Sequence, residues 1–200
     1  MSVSSSPRAR LLSIGLGALA LVTTAVATAP GGRAAPADQA RPPASEVVTT
    51  LKFVRNSADP QDSRLYVVRG GTPVAEFRAG SGLGKKHPNG REECARGEGW
   101  LPRGTYKVGT AQTRYNGSLV KGYAIPLSDK KSSDNRTWRT QLLIHSEMTR
   151  DGGRGSTENR RWDGVDDYKS AGCIKLEPND IKKLFRNLSR FPAPTRLTVV

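Results

Sequence analysis

Cysteine and histidine are nearly missing from this 200-residue chain, which has two of each: Cys94 and Cys173, His87 and His145. There is no CxxC pair and no His/Cys cluster, so no metal site is expected. Two cysteines 79 positions apart do not make the dense framework of a disulfide-stapled domain. Aromatics are only 6% of the residues, and no segment interleaves them with basic residues as nucleic-acid motifs do, so no nucleic-acid partner is expected. The Gly-rich stretch 79–86 (AGSGLGKK) lacks P-loop spacing and no helical pattern follows it, which excludes a phosphate cradle. Internal repeats are absent, and nothing calls for a cofactor. Acidic residues are also in deficit, 18 against 32 basic, for a formal net charge of +14.

Long apolar runs are equally scarce. The single one, Leu11 to Ala29, follows Arg8 and Arg10 and ends in small residues. A positive start, an uncharged apolar core and small residues at Ala27-Thr28-Ala29 or Ala35-Pro36-Ala37 make residues 1–37 an export signal, with an uncleaved membrane anchor as the alternative. The remainder is then expected to be secreted or in the cell envelope outside the cytoplasmic membrane, as a monomer. Pro- and Ala-rich residues 38–46 read as a linker. Residues 47–200 are long enough for one domain with one core. Beyond the leader the chain holds 29 basic and 18 acidic residues, a surface that favours polyanions, whether nucleic acid, anionic lipid or anionic wall polymers, and basicity alone does not choose among them.

From Val47 the pattern is that of strands. Candidates are 47–54, 65–68, 74–77, 104–108, 123–127, 140–145 and 196–200, with Gly70-Gly71 as a hairpin turn. Residues 128–139 read as a polar loop. Residues 147–169, with little apolar content besides Met148, Trp162, Val165 and Tyr168, read as a long loop, either functional or a solvated insertion. Pro178 and Asp180 suit a helix start, and Ile181, Leu184, Phe185 and Leu188 form an i, i+3, i+4, i+7 stripe. The fold expected is mainly β with one C-terminal covering helix near residues 178–190.

Two short stretches carry chemistry. Leu142-Leu143-Ile144-His145-Ser146 places a histidine at the end of an apolar strand. Ser170-Ala171-Gly172-Cys173-Ile174-Lys175-Leu176 places a thiol beside a glycine. A thiol becomes a useful nucleophile when a base takes its proton or a positive field lowers its pKa. His145 is the better base, because His87 sits in a polar Lys-Lys-His-Pro loop. The plainer alternatives are a satisfied rim histidine, a small apolar core cysteine, or a Cys94–Cys173 disulfide. Gly172 lets a substrate carbonyl approach, and the N–H groups of Gly172 and Cys173 could hold an oxyanion. The hydroxyls of Ser146 and Ser170 could orient the imidazole or the thiolate.

The pair IHS and SAGCIKL resembles the signature of the L,D-transpeptidase catalytic-domain family, in which a His followed by Gly or Ser precedes Ser/Thr-His-Gly-Cys and an apolar residue. Leu101-Pro102-Arg103-Gly104-Thr105-Tyr106 resembles that family's turn and strand, and Tyr123 its aromatic before the histidine strand. The resemblance implies a β-sandwich-like fold, Cys173 as nucleophile, His145 as general base, and the Ser146 carbonyl as its orienting group. Ser170 and Gly172 would shape the nucleophile loop. Tyr123, Lys175 and Trp162 would contact substrate, Trp162 having loop anchoring as its alternative. It also implies transfer of peptidoglycan stem peptides through a thioester. Hydrolysis of the same intermediate, as an L,D-carboxypeptidase or endopeptidase, and a non-catalytic basic wall-binding module are the other readings. Two departures stand out: Ala171 replaces the family's second histidine, and 24 residues separate His145 from Ser170.

Overall fold

The computed structural model describes residues 47–200. The expected export signal and linker lie outside the described residues. Eleven strands and one α-helix follow in order. They are β1 (Thr49–Val54), β2 (Ser63–Arg69), β3 (Thr72–Ala79), β4 (Gly104–Lys107), β5 (Gln112–Asn116), β6 (Lys121–Pro126), β7 (Lys130–Lys131), β8 (Trp138–Arg139), β9 (Leu143–His145), β10 (Ile174–Lys175), α1 (Pro178–Leu188) and β11 (Arg196–Val199). The domain is mainly β, as its alternating sequence implies.

One sheet runs β3-β2-β1-β11-β4. Its register lines up apolar side chains in rows across the strands. Ala75, Val67, Leu51, Leu197 and Tyr106 form one row, and Phe77, Leu65, Phe53 and Val199 another. Because side chains alternate along a strand, both rows share one face, and that face is the core. Gly70 and Gly71 both have positive φ and close the β2–β3 hairpin, a conformation that β-carbons oppose.

The second sheet runs β10-β9-β6-β5. Its core row is Ile125, Ile144 and Ile174, each at most 1% exposed. The stripe on α1 closes the same core: Ile181, Leu184 and Leu188 are buried, and Phe185 meets Tyr123 edge-on at 4.9 Å. Pro178 stands in the first turn of α1, where a missing N–H breaks no helical bond. The isolated bridge Gly80↔Lys175 joins β10 to the end of the first sheet's β3. The Gly-rich stretch therefore serves as a strand edge for the cysteine segment.

One expectation is corrected, and two features are added. The stretch 128–139 contains the small β7–β8 ribbon. β5 has no buried residue and so carried no apolar alternation to reveal it. The 147–169 segment is anchored at both ends by buried Met148, Asp167 and Tyr168, with 153–159 largely exposed between them. Among the described residues no helix is long and apolar enough to cross a membrane.

Candidate active site

β9 and β10 are neighbouring parallel strands, with Lys175 opposite His145 and Ile174 opposite Ile144. The isoleucines take the core face, so His145 and Lys175 take the other, in one row with Ala124. Cys173 immediately precedes β10. Sheet register thus sets the two candidate residues on adjacent chain segments, His145 at the C-terminal end of β9 and Cys173 just before the N-terminal end of β10. Both cysteines are free, so no bridge occupies the thiol.

His145 is 6% exposed. Its Nδ1 lies 3.1 Å from the Ser146 carbonyl, which can only accept, so Nδ1 carries the proton and Nε2 keeps its lone pair. Burial, with the Lys175 charge in second place, pushes the imidazole pKa down to about 4. The ring is neutral at pH 7 and able to take a proton.

Cys173 Sγ donates to the Gln141 carbonyl at 3.7 Å. Burial raises its pKa, against the Leu143 amide and the charges of Lys175 and Arg139, which lower it. The resting thiol and imidazole are therefore both neutral, and the thiol donates to the Gln141 carbonyl and not to His145. Catalytic hydrogen bonds commonly close only with substrate in place. Gln141 holds φ at +56°, an uncommon value for a residue with a side chain, and this bend aims its carbonyl at the sulfur.

The turn that carries Cys173 is tied internally. Ser170 Oγ donates to the Cys173 carbonyl at 2.6 Å and accepts from the Gly172 N–H at 3.3 Å, while the Ser170 N–H donates to the Gly82 carbonyl at 3.0 Å. Gly172 has φ +117°. The expected oxyanion donors must be revised, because the Gly172 N–H is already used. The Cys173 N–H is the donor left at the turn. Nor does the Ser146 hydroxyl orient the imidazole: it is buried and without a partner among the described residues, and the Ser146 carbonyl does that task.

Two of the expected substrate contacts are engaged within the protein. Tyr123 stands on the core face of β6 with Ile125, against Phe185, because its position alternates with that of Ala124. Lys175 is buried and its ammonium pairs with the Glu147 carboxylate. Trp162 packs edge-on to Tyr168 at 4.8 Å and also lines a hollow of about 280 Å³ with Glu147, Arg154 and Lys182. A groove of about 440 Å³ is bounded by Gln141 and Leu143 at one end and by Tyr115, Leu119 and Pro126 toward the β5–β6 hairpin, and Gln141, whose carbonyl accepts from the thiol, links it to Cys173. Among the described residues no group of three or more His, Cys, Asp or Glu side chains could hold a metal ion.

Glu147, Gln141 and Arg139 were not singled out from sequence. An acid directly after a buried strand was a usable signal for Glu147. Arg139 offered none, since its partners lie 32 to 46 positions away.

The family described as YkuD, L,D-transpeptidase catalytic domain, matches residues 57–198. This chain belongs to the L,D-transpeptidase catalytic-domain family. Its match takes in both His145 and Cys173. No curated protein matches the chain. Among solved structures, the L,D-transpeptidase of Xylanimonas cellulosilytica (residues 123–326) is 17% identical, with 79% of this chain and 63% of that one covered and a TM-score of 0.41. L,D-transpeptidase 1 of Mycobacterium tuberculosis is 14% identical, with 76% and 62% covered and a TM-score of 0.39. The catalytic domain of the E. faecium L,D-transpeptidase is 17% identical, with 78% and 100% covered and a TM-score of 0.43. The chain spans less than two thirds of the length of the first two.

Proposed function

We propose that this L,D-transpeptidase-family chain is a cysteine acyltransferase acting on peptidoglycan stem peptides outside the cytoplasmic membrane. The observation that carries this reading is the placement of Cys173 immediately before β10, the parallel neighbour of the strand that ends in His145, with Nδ1 committed to the Ser146 carbonyl and Nε2 left to accept. Free Cys94 and Cys173 are consistent with it.

In the first half-reaction, a stem peptide lies in the groove beside Gln141 and Leu143. His145 Nε2 takes the thiol proton as Sγ attacks the carbonyl between the L-centre of the diamino acid and the terminal D-Ala. The Cys173 N–H faces the oxyanion. Collapse expels the D-Ala amine, which receives the proton from Nε2, and leaves a thioester on Sγ. In the second half, an acceptor amine gives its proton to Nε2, attacks the thioester and displaces the thiolate, which is reprotonated. A neutral His145 is needed at the start of each half, and its low pKa supplies one. Since neither thiol nor imidazole is ionised at rest, proton transfer accompanies attack.

Purified stem tetrapeptides incubated with the protein test the reading by mass spectrometry. Release of D-Ala, an adduct on Cys173 and cross-linked dimers are the expected products. Tripeptides alone would assign the domain to hydrolysis, with water resolving the thioester. No adduct and no D-Ala release, with Cys173 reduced, would leave a wall-binding module and overturn the enzyme reading.

A further inference from the structure

A buried cation stands beside the nucleophile turn and has no part in the steps above. Arg139, on β8, is 3% exposed. Its guanidinium donates to four main-chain carbonyls: Nη1 to Glu93 at 2.6 Å and Trp100 at 3.2 Å, Nη2 to Gly99 at 2.8 Å and Ala171 at 3.1 Å. Three of these belong to one polar loop, and the fourth lies two residues before the thiol. The contact with the turn is close. A β-carbon built on Gly172 would fall 2.1 Å from Nη2, so only glycine lets the guanidinium sit there.

The charge of Arg139 is not neutralised. Among the described residues it joins no ion pair, and the Glu93 carboxylate is taken by Arg55 at 2.5 Å. Carbonyl dipoles satisfy its donors, yet a buried guanidinium without a counter-anion favours any negative charge that forms nearby. The other cation near the thiol, Lys175, already has Glu147 as partner.

We infer that Arg139 is a positioning residue for Cys173: its planar fork fixes the Ser170–Cys173 turn through the Ala171 carbonyl, and its unmatched charge favours the thiolate. The inference rests on Cys173 being the nucleophile. Arg139 and Lys175 are the charges that lower the thiol pKa against burial. On the guanidinium side, Tyr106, Cys173, Cys94 and Glu93 raise its pKa against burial, which lowers it.

The test is the rate of Cys173 alkylation by iodoacetamide as a function of pH, in a Cys94→Ser background so that one thiol reports. Arg139→Met should shift the alkylation midpoint up by about one pH unit, about tenfold slower at pH 7. Arg139→Lys keeps the charge but not the fork, so its midpoint should stay within about 0.3 unit while acyl transfer from stem peptide falls about tenfold or more in kcat. A folded Arg139→Met variant with an unchanged midpoint would make Arg139 a loop staple only and overturn the inference. If Arg139→Met does not fold, Arg139→Lys decides, and wild-type kcat overturns the inference. Should the wild type alkylate normally yet form no adduct with stem peptide, the acyltransferase reading fails while the Arg139 shift in alkylation stands or falls separately.

Discussion

Replacing Lys175 by Met tests how strand register has built the site's electrostatics. Lys175 is 9% exposed and paired with Glu147 at 8%. Removing one member of a buried ion pair typically costs about 3–5 kcal/mol, because the other charge is stranded. The Glu147 carboxyl can relieve this by taking a proton: burial already raises its pKa, with Lys175 opposing. The sign of the pH effect follows. A carboxyl whose folded pKa exceeds its unfolded value of 4.5 binds more protons in the folded state, so its contribution to stability falls as pH rises from 4.5 through the folded pKa. Without the ammonium that pKa climbs further. Asp167, which also faces Glu147, adds to the rise. Lys175→Met should therefore lose about 3 kcal/mol at pH 7 and clearly less at pH 4.5. Loss of the lysine charge also lets the His145 pKa rise above about 4, which spares the variant further in acid. Adding Glu147→Gln should recover most of the deficit at pH 7. Urea unfolding at the two pH values measures the stabilities, and NMR titration follows the His145 ring. Equal losses at both pH values, or a double variant as unstable as the single, would refute the pairing and the burial on which this reasoning depends.

Other outcomes follow from single features of the site. His145 is held at a pKa of about 4 against 6.5 when unfolded, so the unfolded state binds the extra proton between those values and stability must drop on acidification. From pH 7 to 5 the loss should be about 2 kcal/mol in urea unfolding, and His145→Gln should flatten that slope. Gly172→Ala should destabilise by about 2 kcal/mol or more and abolish thioester formation. It combines a φ of +117° with a clash against a guanidinium that four hydrogen bonds prevent from swinging aside. Cys94→Ser should change the unfolding free energy by less than about 1 kcal/mol, since Cys94 is free and only half-buried. Cys173→Ser should fold normally and form no adduct with stem peptide in mass spectra.

Much of this protein is readable without coordinates. Alternation at Leu51, Phe53, Leu65 and Val67 marks strands whose burial is confined to one face, and the Ile181–Leu184–Leu188 spacing marks a helix with one apolar side. A glycine beside Cys173 and a histidine ending an apolar run mark a candidate reactive pair, because few residue types can do such chemistry and the chain has few of them. Periodicity states that one face is buried; it does not state which strands are neighbours. Only the parallel pairing of β9 with β10 brings His145 and Lys175 side by side and turns Lys175 from a surface cation into the partner of Glu147, and only the antiparallel pairing of β6 with β9 sends Tyr123 to the opposite face. Arg139 and the Ser170 clamp on the Gly172 N–H depend on carbonyls and amides. Every residue carries those groups, so no sequence pattern distinguishes them, and tertiary packing alone selects which become partners.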